Sequence, residues 1–252
     1  MRLLDARLMF LLFSILLCGC AATPGGSAPA APPAWITIAP GLRINTELGI
    51  VEFDGVVASD CHNPATPDVY LELLVCAPDT REHEALVVTT VQPSLIHAAL
   101  LAIGAVPGSP GNLGESSPPS GSGLTVEVIV RQGEAVDVRD WVTDAPTRSL
   151  RPMDGFVFSG SQIHTRENAT RYDADGTGVI IGLTTFGSEV VAYRALMSPQ
   201  AAVDEPVWIA DPQVVPEIGA EVRVRIRLGV LAVSGSQSRF GFHHVTRRSG
   251  EK

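Results

Sequence analysis

Residues 76–105, CAPDTREHEALVVTTVQPSLIHAALLAIGA, decide how this chain is read. The run ALVVTTV (85–91) is apolar and β-branched, as a strand is. Behind it Pro93 suits a first helical turn, Ala and Leu favour the interior, and Gly104 with Pro107 stops it. The stretch therefore predicts a strand followed by a helix, PSLIHAALLAIGA. That helix is apolar almost all round and has to be covered on most sides. The same block carries Cys76, His83, Glu84 and His97, so it reads either as a metal or catalytic centre or as a strand and helix with polar ends.

Outward from this block, strand signals dominate. WITIA (35–39), GIVEFDGVVA (49–58), VYLELLV (69–75) and LTVEVIV (124–130) are short and bounded by Gly, Pro, Asn or Asp; FVFSG (156–160), TGVIIGLTTF (177–186), EVVAYRA (189–195) and EVRVRIRLGVLAV (221–233) follow. In the last, Val222, Val224, Ile226 and Leu228 alternate with Arg223, Arg225 and Arg227, giving one buried face and one wet face. Few helices among many strands predict an α+β domain: a predominantly antiparallel β-sheet with one well-defined apolar helix packed on it, preceded by a signal peptide and a flexible linker. Strands 69–75 and 85–91 are read as a hairpin, with Cys76 and His83 flanking a six-residue loop.

The N-terminus reads as an export signal. Arg2 and Arg7 precede an apolar run from Leu8 to Cys18 that is too short to span roughly 30 Å of hydrocarbon as a helix. The run ends in Leu17-Cys18-Gly19-Cys20, which resembles a bacterial lipobox, and a Pro/Ala/Gly/Ser tract follows at once. The expected organisation is a lipoprotein signal peptide over 1–19, acylation of Cys20 by palmitate-type chains, a tether over 20–34, a single β-rich domain over 35–233 with a flexible loop at 108–123, and a frayed tail over 234–252 that holds His243 and His244. The membrane is then a partner through the lipid. The location is the bacterial cell envelope, the outer membrane facing the periplasm if the host is Gram-negative.

The chain carries 18 basic and 27 acidic residues; loss of Arg2, Asp5 and Arg7 with the signal leaves 16 and 26, a formal charge of −10. Nucleic acid is excluded as a partner, because phosphate binding needs a basic surface. Cys61 and Cys76 are the thiols left after export and lipidation. In an oxidising compartment they are candidates for a disulfide, whose loop of about 15 residues would contribute roughly 3 kcal/mol. The alternative is a metal, zinc or iron, held by Cys76 and His83, with Cys61, His62 or His97 as further candidate ligands. A strand of seven residues spans about 23 Å, so His83 and His97 at its two ends cannot share one ion.

Catalytic fingerprints are few. His83-Glu84 lacks the second histidine of H-E-x-x-H, since residue 87 is Val. There is no G-x-S-x-G, P-loop or dinucleotide fingerprint. YDADGTGVIIG (172–182) lacks the closing glutamate of an EF-hand loop and reads as an Asp-Gly turn. His97 reads as a core histidine with one satisfied hydrogen bond rather than a catalyst.

The segments LELLVCAPDTREHEALVVTT (71–90), SLIHAALLAIGAVPG (94–108), DWV (140–142), FVFSGSQI (156–163), the acidic-glycine turn before GVIIGL (178–183), and VVPEIGAEVRVRI (214–226) occur in an order that resembles the YdjY-like family of bacterial exported or lipid-anchored proteins. The resemblance covers most of residues 50–228; residues 58–69, the loop 108–123 and the tail depart from it. It implies a fold and a location but no mechanism. Some members are described as ferredoxin-like, yet this chain lacks the cysteines of a four-thiolate cluster.

Two functions of different class follow. One is a lipid-anchored binder of a small molecule or envelope protein that needs no cofactor. The other is a metal- or thiol-dependent enzyme using the Cys76/His83/Glu84 cluster, with Glu84 as general base and His83 as ligand or acid.

Overall fold

The computed structural model describes residues 34–66, 68–148, 155–166 and 169–229. The signal peptide, nearly all of the tether and the tail, and with them Cys20, His243 and His244, lie outside the described residues. The strands are β1 (Ile36–Ala39), β2 (Leu42–Asn45), β3 (Ile50–Val57), β4 (Leu73–Cys76), β5 (Ala85–Val88), β6 (Gly123–Val130), β7 (Ala135–Asp137), β8 (Val142–Asp144), β9 (Phe156–Val157), β10 (Ile163–Arg166), β11 (Ala169–Tyr172), β12 (Val179–Gly182), β13 (Val191–Tyr193), β14 (Trp208–Ala210) and β15 (Glu221–Leu228). The helices are α1 (Pro93–Ala102) and α2 (Asp173–Thr177), with 3₁₀ turns at Glu82–Glu84 and Val138–Trp141.

Eight strands close on themselves in the order β3-β15-β6-β9-β13-β12-β4-β5, because β5 pairs back onto β3. This corrects the α+β expectation: the domain is a mostly β closed barrel, not a sheet with a helix laid across its face. Closure satisfies the backbone groups that an open sheet would leave at its edges. The closing seam is short, Val56↔Val88 and Val57↔Val87. It depends on Gly55, where a Cβ would lie 2.7 Å from Val87 Cγ1 and 3.0 Å from the Val88 carbonyl. Outside the barrel, β1 and β2 extend from β3, β7 lies beside β6, and β10–β11 and β8–β14 form separate pairs.

The sheet is also less antiparallel than expected. β4 and β5 run parallel, with Leu73↔Ala85, Val75↔Val87 and Cys76↔Val88, and β12 runs parallel to β13. The expected hairpin is therefore absent. The connection from Ala77 to Glu84 carries the chain back to the start of β4, so residue 84 lies beside residue 72 and not beside Cys76.

Helix α1 forms where the sequence placed it, started by Pro93 at its first turn. It packs against β2, β3 and α2 and buries Pro93, Ile96, Ala99 and Leu100. Leu101 is 47% exposed, so one side is covered rather than most. The Asp-Gly turn expected at 172–182 is instead the single-turn helix α2, ended by Gly178 at φ +73°.

On β15, Val222, Val224 and Ile226 are buried, as the alternation requires. Their arginine neighbours are not a free basic stripe. Arg43, Glu52, Arg225 and Glu127 form one in-register row across β2, β3, β15 and β6. The fully buried Glu52 carboxylate receives Arg43 at 2.6 Å and Arg225 at 2.5 Å, Arg223 pairs with Asp54 at 3.0 Å, and Arg227 with Glu127 at 3.3 Å. A carboxylate with no exposure has to be paired in this way, since an isolated buried charge is strongly unfavourable.

Candidate functional site

Parallel pairing of β4 and β5 disperses the expected cluster. Cys76 is fully buried beside Leu73, Ala85 and Val179, and burial pushes its thiol up to about 11. His83 stands on the 3₁₀ turn with 76% of its side chain exposed, its Nε2 3.7 Å from Glu84 Oε1. A buried protonated thiol and a solvent-facing imidazole do not make a metal pair, which needs the thiolate. Among the described residues no group of three or more His, Cys, Asp or Glu side chains is arranged to hold a metal. Cys61 is buried in the main core, away from the small cluster of Cys76, and both are free thiols. His62 bonds the Val215 carbonyl at 2.8 Å. His97 is half-buried, its Nδ1 2.9 Å from the Tyr172 hydroxyl, which donates to the Gly160 carbonyl at 3.1 Å. It ties α1 to β11, and burial holds its imidazole below the usual histidine range.

Glu84 has a different partner, one the sequence reading missed. The Glu72 N–H donates to the Glu84 carbonyl at 2.9 Å, while the Glu72 carbonyl accepts from Leu183 at 2.9 Å and Thr184 at 3.1 Å. These main-chain bonds fix Glu72 between the 77–84 connection and the loop after β12. Its side chain is 19% exposed, that of Glu84 31%. Arg81 Nη1 bridges them, 3.1 Å from Glu72 Oε2 and 3.2 Å from Glu84 Oε2. The guanidinium itself lies over the Phe186 ring, 4.7 Å from the centroid.

Burial, a hydrogen bond with Glu84 and the charge of Glu84 together raise Glu72 to about 7; Arg81 opposes them but does not win. The signal in the sequence was Glu72 itself, a carboxylate inside the apolar run LELLV.

Phe186 is set by a second buried acid. Glu189 is fully buried; its Oε1 accepts from the Phe186 N–H and, at 3.1 Å, from Gly187, and its Oε2 has no partner. Burial raises it as well, the carboxyl remaining partly stabilised by those N–H donors.

Glu72 and Glu84 open into a cleft of about 310 Å³. Tyr70, Leu71, Met197 and Trp208 supply apolar wall, and Asp204 and Glu205 add two further carboxylates. Trp208 is anchored by Nε1 to Met197 Sδ at 3.2 Å, and the Asp204 carboxylate accepts from the Ser198 N–H at 2.6 Å. A somewhat larger hollow of about 370 Å³ lies by the barrel seam, but its Asp54 and Arg223 neutralise each other. The Glu72 cleft combines apolar walls, converging carboxyls and a displaced ionisation, the marks of a binding or catalytic pocket.

Fold and cleft together define a closed eight-stranded mixed barrel with an acidic pocket at the β4–β5 crossover. The YdjY domain model matches residues 42–227, and the chain belongs to that family. No curated protein and no solved structure gave a significant match.

Proposed function

We propose that this protein is a lipid-anchored envelope protein whose barrel binds a small ligand in the Glu72/Glu84 cleft. The observation that carries the reading is the cleft itself: about 310 Å³ of space where apolar walls meet a carboxyl pair held in place by main-chain bonds and Arg81. The anchor rests on the lipobox-like Leu17–Cys20 and the Pro/Ala-rich tract behind it. No helix among the described residues is long and apolar enough to cross a membrane, so acylation of Cys20 would supply the attachment. The net acidic charge keeps nucleic acid out of consideration as a partner. A thiol- or metal-dependent enzyme at Cys76, His83 and Glu84 has no support in the geometry, because Cys76 is buried at the opposite end of β4 from Glu84.

The test is fragment screening by amide chemical shift. Binding in the cleft moves the resonances of Glu72, Glu84 and Trp208 together, and Trp208→Ala removes the response. Shifts confined to the seam hollow around Arg131 and Thr89 would overturn the assignment.

A further inference from the structure

We propose that the cleft selects a cationic ligand, an amine carried on an apolar body. The inference rests on the binding reading above and adds the charge of the ligand and its dependence on pH.

The groups that face the pair come from three segments. From the stretch before β4 there is Glu72; from the 77–84 connection, Arg81, His83 and Glu84; from the segment before β14, Asp204 and Glu205. Glu82, on the same 3₁₀ turn, is spent on the Asp79 and Thr80 N–H groups. Among the described residues the cleft wall contains four carboxyl groups and no Lys, Arg or His. The Arg81 guanidinium is shared between both glutamates and stacked on Phe186, outside the cleft lining. His83 is largely exposed, with its Nε2 3.7 Å from Glu84 Oε1 on the solvent side of the pair. Even with one carboxyl protonated the wall is therefore net negative. Tyr70, 45% exposed at the mouth, offers an aromatic surface to a cation, and Trp208, Leu71 and Met197 receive the apolar body.

The consequence is linkage. A cation binds most tightly to the doubly ionised pair, so its apparent affinity follows the fraction of that form. With the Glu72 proton leaving near pH 7, that fraction rises roughly tenfold between pH 6 and pH 8. Binding at pH 6 then releases about one proton.

The probes are benzylamine and its neutral analogue benzyl alcohol, titrated at pH 6 and pH 8 by calorimetry in buffers of different ionisation enthalpy and by the Trp208 amide shift. The expected result is benzylamine binding about tenfold tighter at pH 8, with proton release at pH 6, and weaker, pH-independent binding of benzyl alcohol. Glu72→Gln removes the pH dependence. Glu84→Gln moves it to lower pH, so a folding defect in one variant does not decide the matter. Equal benzylamine affinity at both pH values, or benzyl alcohol binding as tightly as benzylamine, overturns the inference while leaving the cleft as a binding site. Failure of both probes to shift Trp208 overturns the inference together with the reading beneath it.

Discussion

The N–H of Glu72 donates to the carbonyl of Glu84 at 2.9 Å, although twelve positions separate them in the chain. That bond exists because β4 and β5 run parallel. It brings two carboxyls onto one arginine and makes the mouth of the cleft acidic.

Stability should fall as pH rises from about 4.5 to about 7. Glu72 is raised in the folded state from its ordinary 4.5 to about 7, so in this window the folded state binds more protons than the unfolded one. The raised group thus favours the fold fully below about 4.5, and that contribution is gone above about 7. The loss is on the order of 2 kcal/mol, roughly 5 °C in Tm. Calorimetric scans across the window should show the decline in the native chain and a flatter profile in Glu72→Gln.

Glu189 should tolerate an amide and not a truncation. Glutamine keeps the acceptor for the Phe186 and Gly187 N–H groups, and its NH₂ replaces an oxygen that has no hydrogen-bond partner among the described residues. Glu189→Gln is expected to cost under ~1 kcal/mol. Glu189→Ala leaves two N–H donors unsatisfied and a void, about 2–4 kcal/mol. Urea denaturation separates the two.

Gly55 should be the least replaceable glycine of the barrel seam. Its missing Cβ is what lets Val87 and the Val88 carbonyl approach β3. Gly55→Ala forces that seam apart at a cost of about 1–3 kcal/mol. Hydrogen exchange should quicken at Ala58, whose N–H donates to the Leu86 carbonyl across the seam, before it quickens in the β3–β15 ladder.

Cys61 and Cys76 should both be alkylated only after unfolding. Each is buried, and burial raises both thiols, Cys76 to about 11, so little thiolate exists near neutrality. Peptide mapping after iodoacetamide treatment in urea without reductant should find both modified. Finding them joined would contradict their separate placement.

Much of the strand content was legible because burial leaves a period-2 or continuous apolar trace, as in β3, β6 and β15. Helix α1 was legible from Pro93 and Gly104. What failed was strand partnership. A loop of eight residues between two strands reads as a hairpin turn, yet here it contains a 3₁₀ turn and returns the chain in the same direction. Closure was equally hidden, since only two residue pairs, Val56↔Val88 and Val57↔Val87, make the seam. From that error came the misplaced cluster: the sequence puts Glu84 beside Cys76, whereas its main-chain partner is Glu72. The arginines of β15 were legible as one face; their pairing with Glu52 depended on β3 being the neighbour.

The most direct test is a carboxyl ¹³C titration of the glutamate side chains. Glu72 should titrate near 7, and Glu84→Gln should bring its midpoint down toward the ordinary carboxylate range. A Glu72 midpoint near 4.5 that Glu84→Gln leaves unmoved would contradict the raised carboxyl and the pH-dependent cleft built on it.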